Sequence, residues 1–335
     1  PNTKRIAGPQ FVYQDLGMFH LKGFSDEVCI SAVTGAHAYE SRSAWRGRDN
    51  LLPMVGRDAE LAKLQHCWQS DKTEGVLLLA DAGMGKSRLS TAFADSLNDE
   101  PHLTIRLQCS PFHSNSVLHP FVQHLISAAG FTRNDSTLVQ AEKLEAQLAI
   151  AGITSEQDIA LMAALLDINV DNRYPQLEMP PPAKLQMTEE ILLRYFMELA
   201  SQMAISPTEE ALAQYLNGMT KGKPLLLLFE DVHWIDPSSL ELLDKLLGPL
   251  YLSQTLILMT ARPSFIHEFN HDTKVTKLEL TKLDQEAARQ MVVNLCSAVA
   301  LPDTAVEQIL NKTDGIPLYI EEMTLMVQDL QTVPA

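Results

Sequence analysis

Basic residues are scarce in this chain of 335. Twenty-six Lys and Arg stand against forty-two Asp and Glu, for a formal charge of −16. That balance argues against a surface built to hold a polyanion, so nucleic acid is not an expected partner, although a local basic site is compatible with it. No helix-turn-helix pattern contradicts this. Cysteine is equally sparse: Cys29, Cys67, Cys109 and Cys296 are scattered, with no C-x-x-C spacing. Neither a disulfide scaffold nor a zinc ribbon is indicated, and a reducing, cytoplasmic setting is expected. No apolar run approaches the ~18 residues that cross a bilayer, and no charged-then-apolar signal segment opens the chain, so no membrane partner is expected. Apolar residues are not lacking, since the 46% hydrophobic content supports a substantial core. The chain opens on Pro1 in what reads as the middle of a domain, which suggests a piece of a longer polypeptide.

The most informative stretch is Ala80-Asp81-Ala82-Gly83-Met84-Gly85-Lys86-Ser87, between the apolar run Val76 to Leu79 and the helix-like Lys86 to Ala94. A polyphosphate cradle needs glycines where backbone N–H groups turn inward, a lysine for the outer phosphates and a hydroxyl for Mg²⁺. Gly83, Gly85, Lys86 and Ser87 meet those needs. The following helix, with Arg88 in its first turn, aims its positive dipole end at the phosphates. Ala80 departs from the pattern G-x-x-x-x-G-K-S/T, and its methyl group must be either accommodated or paid for by a distorted loop.

Buried parallel strands read as continuous apolar runs, and four occur: Val76 to Leu79, Leu103 to Leu107, Leu225 to Phe229 and Leu256 to Thr260, with the more alternating Val275 to Leu280 as a fifth. Helical periodicities lie between them, which predicts an α/β sheet. The connection after Leu107 is long enough for a helical insertion. One helix should start at Ser116 and stop at Gly130. Others are signalled by Ser155 with Asp158, a capping-box spacing, and by Ser206, Pro207 and Glu209. Met179-Pro180-Pro181-Pro182 reads as a rigid connector between helices. Beyond Leu283, helices are expected from Asp284 to Leu295 and from Thr304 to Asn311. At the other end, period-two alternation from Phe11 to Val33 predicts a β-hairpin or two. The small, polar stretch 36–52, with Arg42, Arg46 and Arg48, reads as a linker.

Leu225-Leu226-Leu227-Leu228-Phe229-Glu230-Asp231 is an apolar strand ending in two acids, a Walker B pattern. One carboxylate is needed for Mg²⁺ and a second to orient the attacking water. Adjacent residues on an extended strand face opposite ways, so both roles require a bend there. By position Glu230 is nearer the metal and Asp231 the water, with the reverse assignment open. Met259-Thr260-Ala261-Arg262-Pro263 ends another strand in polar and cationic residues, where Thr260 or Arg262 could sense a γ-phosphate. Cys109, His113, His119 and His124 lack the paired short spacings of a zinc site. Ser238 and Ser239 sit in no nucleophile-elbow context and read as a helix start after Pro237.

These motifs together resemble the ATPase module of the signal-transduction ATPases with numerous domains, in the form fused behind class III adenylate/guanylate cyclase domains in bacterial multidomain proteins. The resemblance covers about residues 53 to 335. It rests on Val55-Gly56-Arg57-Asp58-Ala59-Glu60-Leu61, the phosphate cradle, Cys109-Ser110-Pro111-Phe112-His113-Ser114-Asn115-Ser116, Glu230-Asp231-Val232-His233-Trp234-Ile235-Asp236-Pro237, and Gly315-Ile316-Pro317-Leu318-Tyr319-Ile320-Glu321-Glu322. It implies that Pro317 lies against the nucleotide base and that Val55 and Arg57 lie on the adenine side. Residues 11–33, with Leu21-Lys22-Gly23, resemble the last strands of a cyclase domain. The metal-binding and transition-state residues of such a domain would lie upstream of this chain.

The expectation is therefore a P-loop α/β domain of the additional-strand type at 53–283, with inserted helices. A helical lid at 284–335 follows it, and a cyclase-like tail at 1–35 and the linker precede it. Its ligands would be ATP or ADP with Mg²⁺, contacted by Asp81, Ala82, Gly83, Met84, Gly85, Lys86, Ser87 and Arg88. Ser87, Glu230 and Asp231 would serve the metal, with Arg262 assisting catalysis. The resemblance implies a slow ATPase acting as a regulatory switch, with the cyclase domain and further helical or repeat domains of the same polypeptide as partners. A nucleotide-binding scaffold without turnover and a mechanical ATPase acting on a macromolecule are the alternatives.

Overall fold

The computed structural model describes residues 11–20, 27–36, 53–70, 74–99, 101–169, 173–205, 225–248, 255–269, 275–296 and 301–332. The chain divides into two compact units, Pro1–Pro53 and Met54–Ala335. In the first, β1 (Phe11–Phe19) pairs antiparallel with β2 (Val28–Ala36), with register irregularities between Val12 and Tyr13 and between Asp15 and Gly17. The alternation that predicts a hairpin has produced this pair. Leu16, Met18, Phe19 and Val33 remain exposed on it, and two strands alone hold little stability in water. Leu21 to Gly23 and the arginines of the linker lie outside the described residues.

The second unit is built on a five-stranded parallel sheet in the order β4-β5-β6-β3-β7, where β3 is Glu74–Leu79, β4 Leu103–Gln108, β5 Leu225–Glu230, β6 Thr255–Ala261 and β7 Val275–Glu279. All five predicted strands form. β6 lies between β3, which leads into the cradle, and β5, which ends in the acids, as the additional-strand reading requires. Side chains alternate across the sheet, so Leu225, Leu227 and Phe229 join the core on one face while Leu226 and Leu228 join that on the other.

The second of these faces carries α1 (Asp58–Trp68) and α2 (Lys86–Asp95), through Leu64, Trp68, Leu89 and Phe93. The first face is covered by the insertion between β4 and β5, namely α3 (His119–Ala128), α4 (Thr137–Ile150), α5 (Glu156–Leu165) and α6 (Pro181–Ile205), together with α7 (Pro237–Leu247). After the sheet come α8 (Gln285–Leu295), α9 (Asp303–Thr313) and α10 (Pro317–Thr332), with an apolar cluster of their own.

Several local expectations need correction. Ser116 does not cap α3: the N-cap is Leu118, at φ 52°, without a side-chain bond, and Pro120 fixes the first turn. Ser116 instead closes a turn onto the His113 carbonyl, and the Leu118 N–H donates to Asp236 Oδ1 at 3.1 Å. Ser155 precedes α5, but its side chain makes no capping bond. Pro181 and Pro182 are not connector; they open α6, where a missing N–H costs nothing. Ser206, Pro207 and Glu209 lie outside the described residues. The helix α10 falls within the expected helical stretch 284–335, although its own start and end had no separate signal.

Candidate nucleotide site

The loop from Ala80 to Gly85 leaves β3 at the carboxyl edge of the sheet and returns as α2. Gly83 and Gly85 lie at φ +82° and +91°, the left-handed region that a side chain disfavours. A Cβ on Gly83 would also press on Leu318 Cβ at 3.0 Å. Ala80 has no such requirement. It is absent from the residues with positive φ, its N–H donates to the Ala261 carbonyl at 3.2 Å, and its methyl is buried in the core beneath α2. The backbone at the residue that departs from the motif therefore does not require glycine.

Lys86 is 9% exposed and donates from Nζ to the carbonyls of Ala80 (2.7 Å) and Asp81 (3.0 Å), so its ammonium lies folded over the loop. Burial pulls its pKa below the ordinary lysine value; Asp231 opposes this, Arg262 adds to it, and Asp81 opposes it more weakly. These four charges therefore share one field, although they come from the loop after β3, the start of α2 and the residues just past β5 and β6. Arg88, in the first turn of α2, also has its pKa lowered by burial, against the opposing fields of Asp95 and Glu321.

At the end of β5 the two acids diverge. Glu230 is 4% exposed and its Oε1 accepts from Arg106 of β4 at 3.2 Å. Asp231 sits at φ +58°, a left-handed bend that a short polar residue tolerates better than others. Its N–H donates to Thr260 Oγ1 at 2.9 Å, and Gln108 Nε2 approaches Oδ2 at 3.4 Å. A single 3-10 turn, Val232–Trp234, follows. It carries His233, whose Nδ1 is 3.9 Å from Asp231 Oδ1, and Trp234, over whose ring the Arg262 guanidinium lies at 5.7 Å. Asp236 then caps α7, accepting from the Ser239 N–H at 3.0 Å while also holding Leu118. Gln108, Arg106 and His233 escaped the sequence reading as site residues. His233 stands in the quoted ED-x-HW-x-D stretch, but nothing in sequence distinguishes it from a surface histidine.

The predicted base-side residues occupy a different setting. Arg57, nearly buried, donates from Nη2 to the carbonyls of Met84 (3.3 Å) and Thr281 (2.6 Å) and from Nη1 to Glu60 (3.3 Å), so it fastens the loop to the strand end of β7. Val55 packs on the α8–α10 cluster. Pro317 opens α10, and the Leu318 N–H just behind it donates to the Gly83 carbonyl at 3.1 Å. Asp81, Ala82 and Ser87 lie in or beside the loop as read. Among the described residues no three His, Cys, Asp or Glu side chains gather as a metal cage. A magnesium ion at a polyphosphate keeps several waters and needs only one or two protein oxygens. The Ser87 hydroxyl and the acids of β5, in a loop with inward glycine turns, fit that donor set.

Such a loop, an inserted strand between it and a pair of acids, and a lysine folded over it define a P-loop ATPase of the additional-strand kind. The chain belongs to the AAA ATPase domain family, whose model matches residues 53–259. It is 26% identical over 329 residues to the uncharacterized protein R02095 of Rhizobium meliloti (strain 1021), covering 96% of this chain but 29% of that protein. The chain thus spans under a third of that relative's length. Among solved structures it matches one described as the structure of Drosophila ORC bound to DNA, with a TM-score of 0.44 and 11% identity over 93% of this chain and 66% of the other. That likeness is too distant to bear on the site. Family membership implies nucleotide binding. No described helix is long and apolar enough to cross a membrane.

Proposed function

We propose that this chain is a Mg·ATP-binding regulatory ATPase module, in which nucleotide state is passed from the cradle to the helices that follow the sheet. The observation that carries the proposal is the hydrogen bond from the Leu318 N–H to the Gly83 carbonyl. A loop that reshapes around phosphates must move, break or tighten that bond, and α10 reports the change. Arg57 supplies a second tie through Met84 and Thr281. In this reading residues 53–283 are the ATPase domain and 284–335 the lid. Residues 36–52 link them to a tail at 1–35, and the resemblance suggests that a cyclase-like domain of a longer polypeptide is the context.

Lys86 would leave the loop carbonyls for the outer phosphates, replacing two neutral acceptors with a charged one. Ser87 and an acid of the β5 pair would hold Mg²⁺, which neutralises phosphate charge. Asp231 is the better candidate for the water-orienting acid: it shares a field with Lys86 and Arg262, while Glu230 is engaged by Arg106. Arg262, steadied by Trp234, would answer the charge that develops on the transferred phosphoryl group. A switch requires ATP and ADP to favour different lid states, because equal affinity shifts nothing.

Steady-state phosphate release with hydrogen exchange over 285–332 tests this reading. Asp231→Asn should lower kcat by about 10² to 10³-fold with little change in ATP affinity, and ATP should protect the lid amides more than ADP does. Nucleotide binding without turnover or differential protection would leave the scaffold. Turnover stimulated by a polymeric substrate would instead favour the mechanical ATPase.

A further inference from the structure

His233 is the odd polar group of the site. Its side chain is 8% exposed, yet neither ring nitrogen has a hydrogen-bond partner. Buried polar groups are almost always bonded, and an exception calls for a reason. The ring is not packed away as a spacer. It tilts against Trp234 with 5.0 Å between centroids, and its Nδ1 stops 3.9 Å short of Asp231 Oδ1, just beyond a hydrogen bond. The groups whose fields it feels are Asp231, Arg262 and Lys86, which are the charges at the cradle. Asp231 itself is poised at a left-handed bend, held through its N–H by Thr260 and only loosely through its carboxylate by Gln108. A carboxylate that must orient a water needs a firmer hold than that.

We infer that His233 is a positioning residue for hydrolysis: when Mg·nucleotide fills the cradle, the imidazole closes on Asp231, donates Nδ1–H to Oδ1 and fixes the carboxylate toward the attacking water. The remaining nitrogen, Nε2, is then an acceptor for a water in the same site. No proton need leave the ring, and no bond forms or breaks on it. The short 232–234 turn allows the closure, because its shift is bounded by Asp231 on one side and the Asp236 cap on the other. This inference rests on the hydrolytic reading above, with Asp231 as the water-orienting acid.

The test uses the whole chain. His233→Ala should lower kcat by about 10 to 100-fold while KM for ATP and the affinity for Mg·ADP stay within about twofold. Added imidazole should restore part of the rate, and in an Asp231→Asn background the loss of His233 should cost nothing further. A rise in KM matching the fall in kcat, absence of rescue, or full additivity with Asp231→Asn would overturn the inference. The second readout is the nitrogen resonances of ¹⁵N-histidine-labelled protein, with His233 assigned by its loss in His233→Asn. Adding Mg²⁺ with a non-hydrolysable ATP analogue should move its Nδ1 resonance to a hydrogen-bonded position, and Asp231→Ala, which removes the acceptor, should abolish the movement. If the wild type binds nucleotide without turning over, the hydrolytic reading falls. An Asp231-dependent movement then sustains the contact, and an unmoved resonance overturns it.

Discussion

The two faces of the sheet are held by different forces. Opposite the cradle, the insertion α3–α6 and α7 pack a broad apolar core from Ile105 and Phe121 to Tyr195, Phe196 and Phe229, with polar ties such as Lys245 to Glu189 and Leu118 to Asp236 beside it. On the cradle face the apolar cluster is smaller, and directional bonds do much of the fastening: Lys86 to Ala80 and Asp81, Arg57 to Met84 and Thr281, Leu318 to Gly83. Apolar packing is roughly proportional to area and indifferent to direction, whereas a hydrogen bond fixes an angle. The contrast separates mass from shape. Changes on the insertion face should alter stability with little effect on nucleotide affinity, and changes to the bonds that fasten the cradle should alter affinity.

The largest effect that could break this comparison is Gly315→Ala. Gly315 lies at φ +71°, and a Cβ there would meet the Leu283 carbonyl oxygen at 2.4 Å, in the crossing that sets α10 behind Pro317. A cost of about 2–4 kcal/mol is expected from strain and displaced backbone. It should appear in urea unfolding together with weakened ATP binding, because the Leu318–Gly83 bond depends on the same crossing. Loss of stability with unchanged affinity would uncouple the lid from the cradle.

A smaller effect tests the insertion face. His124 lies against Tyr195 and Phe196, and burial holds its pKa down at about 4. The folded protein therefore favours the neutral ring. Stability from this site is fully present above the unfolded value near 6.5 and declines as pH falls from there toward about 4, because only the unfolded chain takes up the proton in that interval. Allowing for the exposure the ring retains, the loss is on the order of 2 kcal/mol. His124→Phe should remove that share of the acid sensitivity, measured as unfolding midpoints at neutral and acid pH, without altering ATP affinity.

The smallest effect sharpens the account of the cradle itself. Since Ala80 has an ordinary backbone and a buried methyl, restoring the motif glycine should cost about 0.5–1 kcal/mol of stability and change ATP affinity by no more than about twofold. A large gain in affinity would mean that the methyl does crowd the phosphates.

The strands were readable from sequence because a parallel strand buried on both faces leaves an unbroken apolar run, as Leu225 to Phe229 does. Helices were less readable where their ends lack the usual chemistry. α1 has Arg57 at its N-cap, without a side-chain capping bond. α10 begins at Pro317, a good first-turn residue, but no polar capping residue stands immediately before it in sequence to announce a helix. The cradle was visible because its residues are contiguous. Its fastening was not: Gly83 with Leu318, Arg57 with Thr281 and Asp231 with Thr260 join segments far apart in the chain. The Ala80 departure could be noticed in sequence but not weighed, since only its φ and its burial decide the matter. His233 was visible as a letter in a motif, while its two unbonded nitrogens exist only in the fold.

The central claim is that a fold-buried Lys86, lying over its own loop, is held ready for phosphate. Calorimetric titration of the chain with Mg·ATP and Mg·ADP, beside a Lys86→Ala variant shown to be folded by circular dichroism, tests it directly. The account predicts saturable binding of both nucleotides with different affinities, weakened by about 100-fold or more in the variant. Equal binding by wild type and variant, or no binding by a folded wild type, would contradict it.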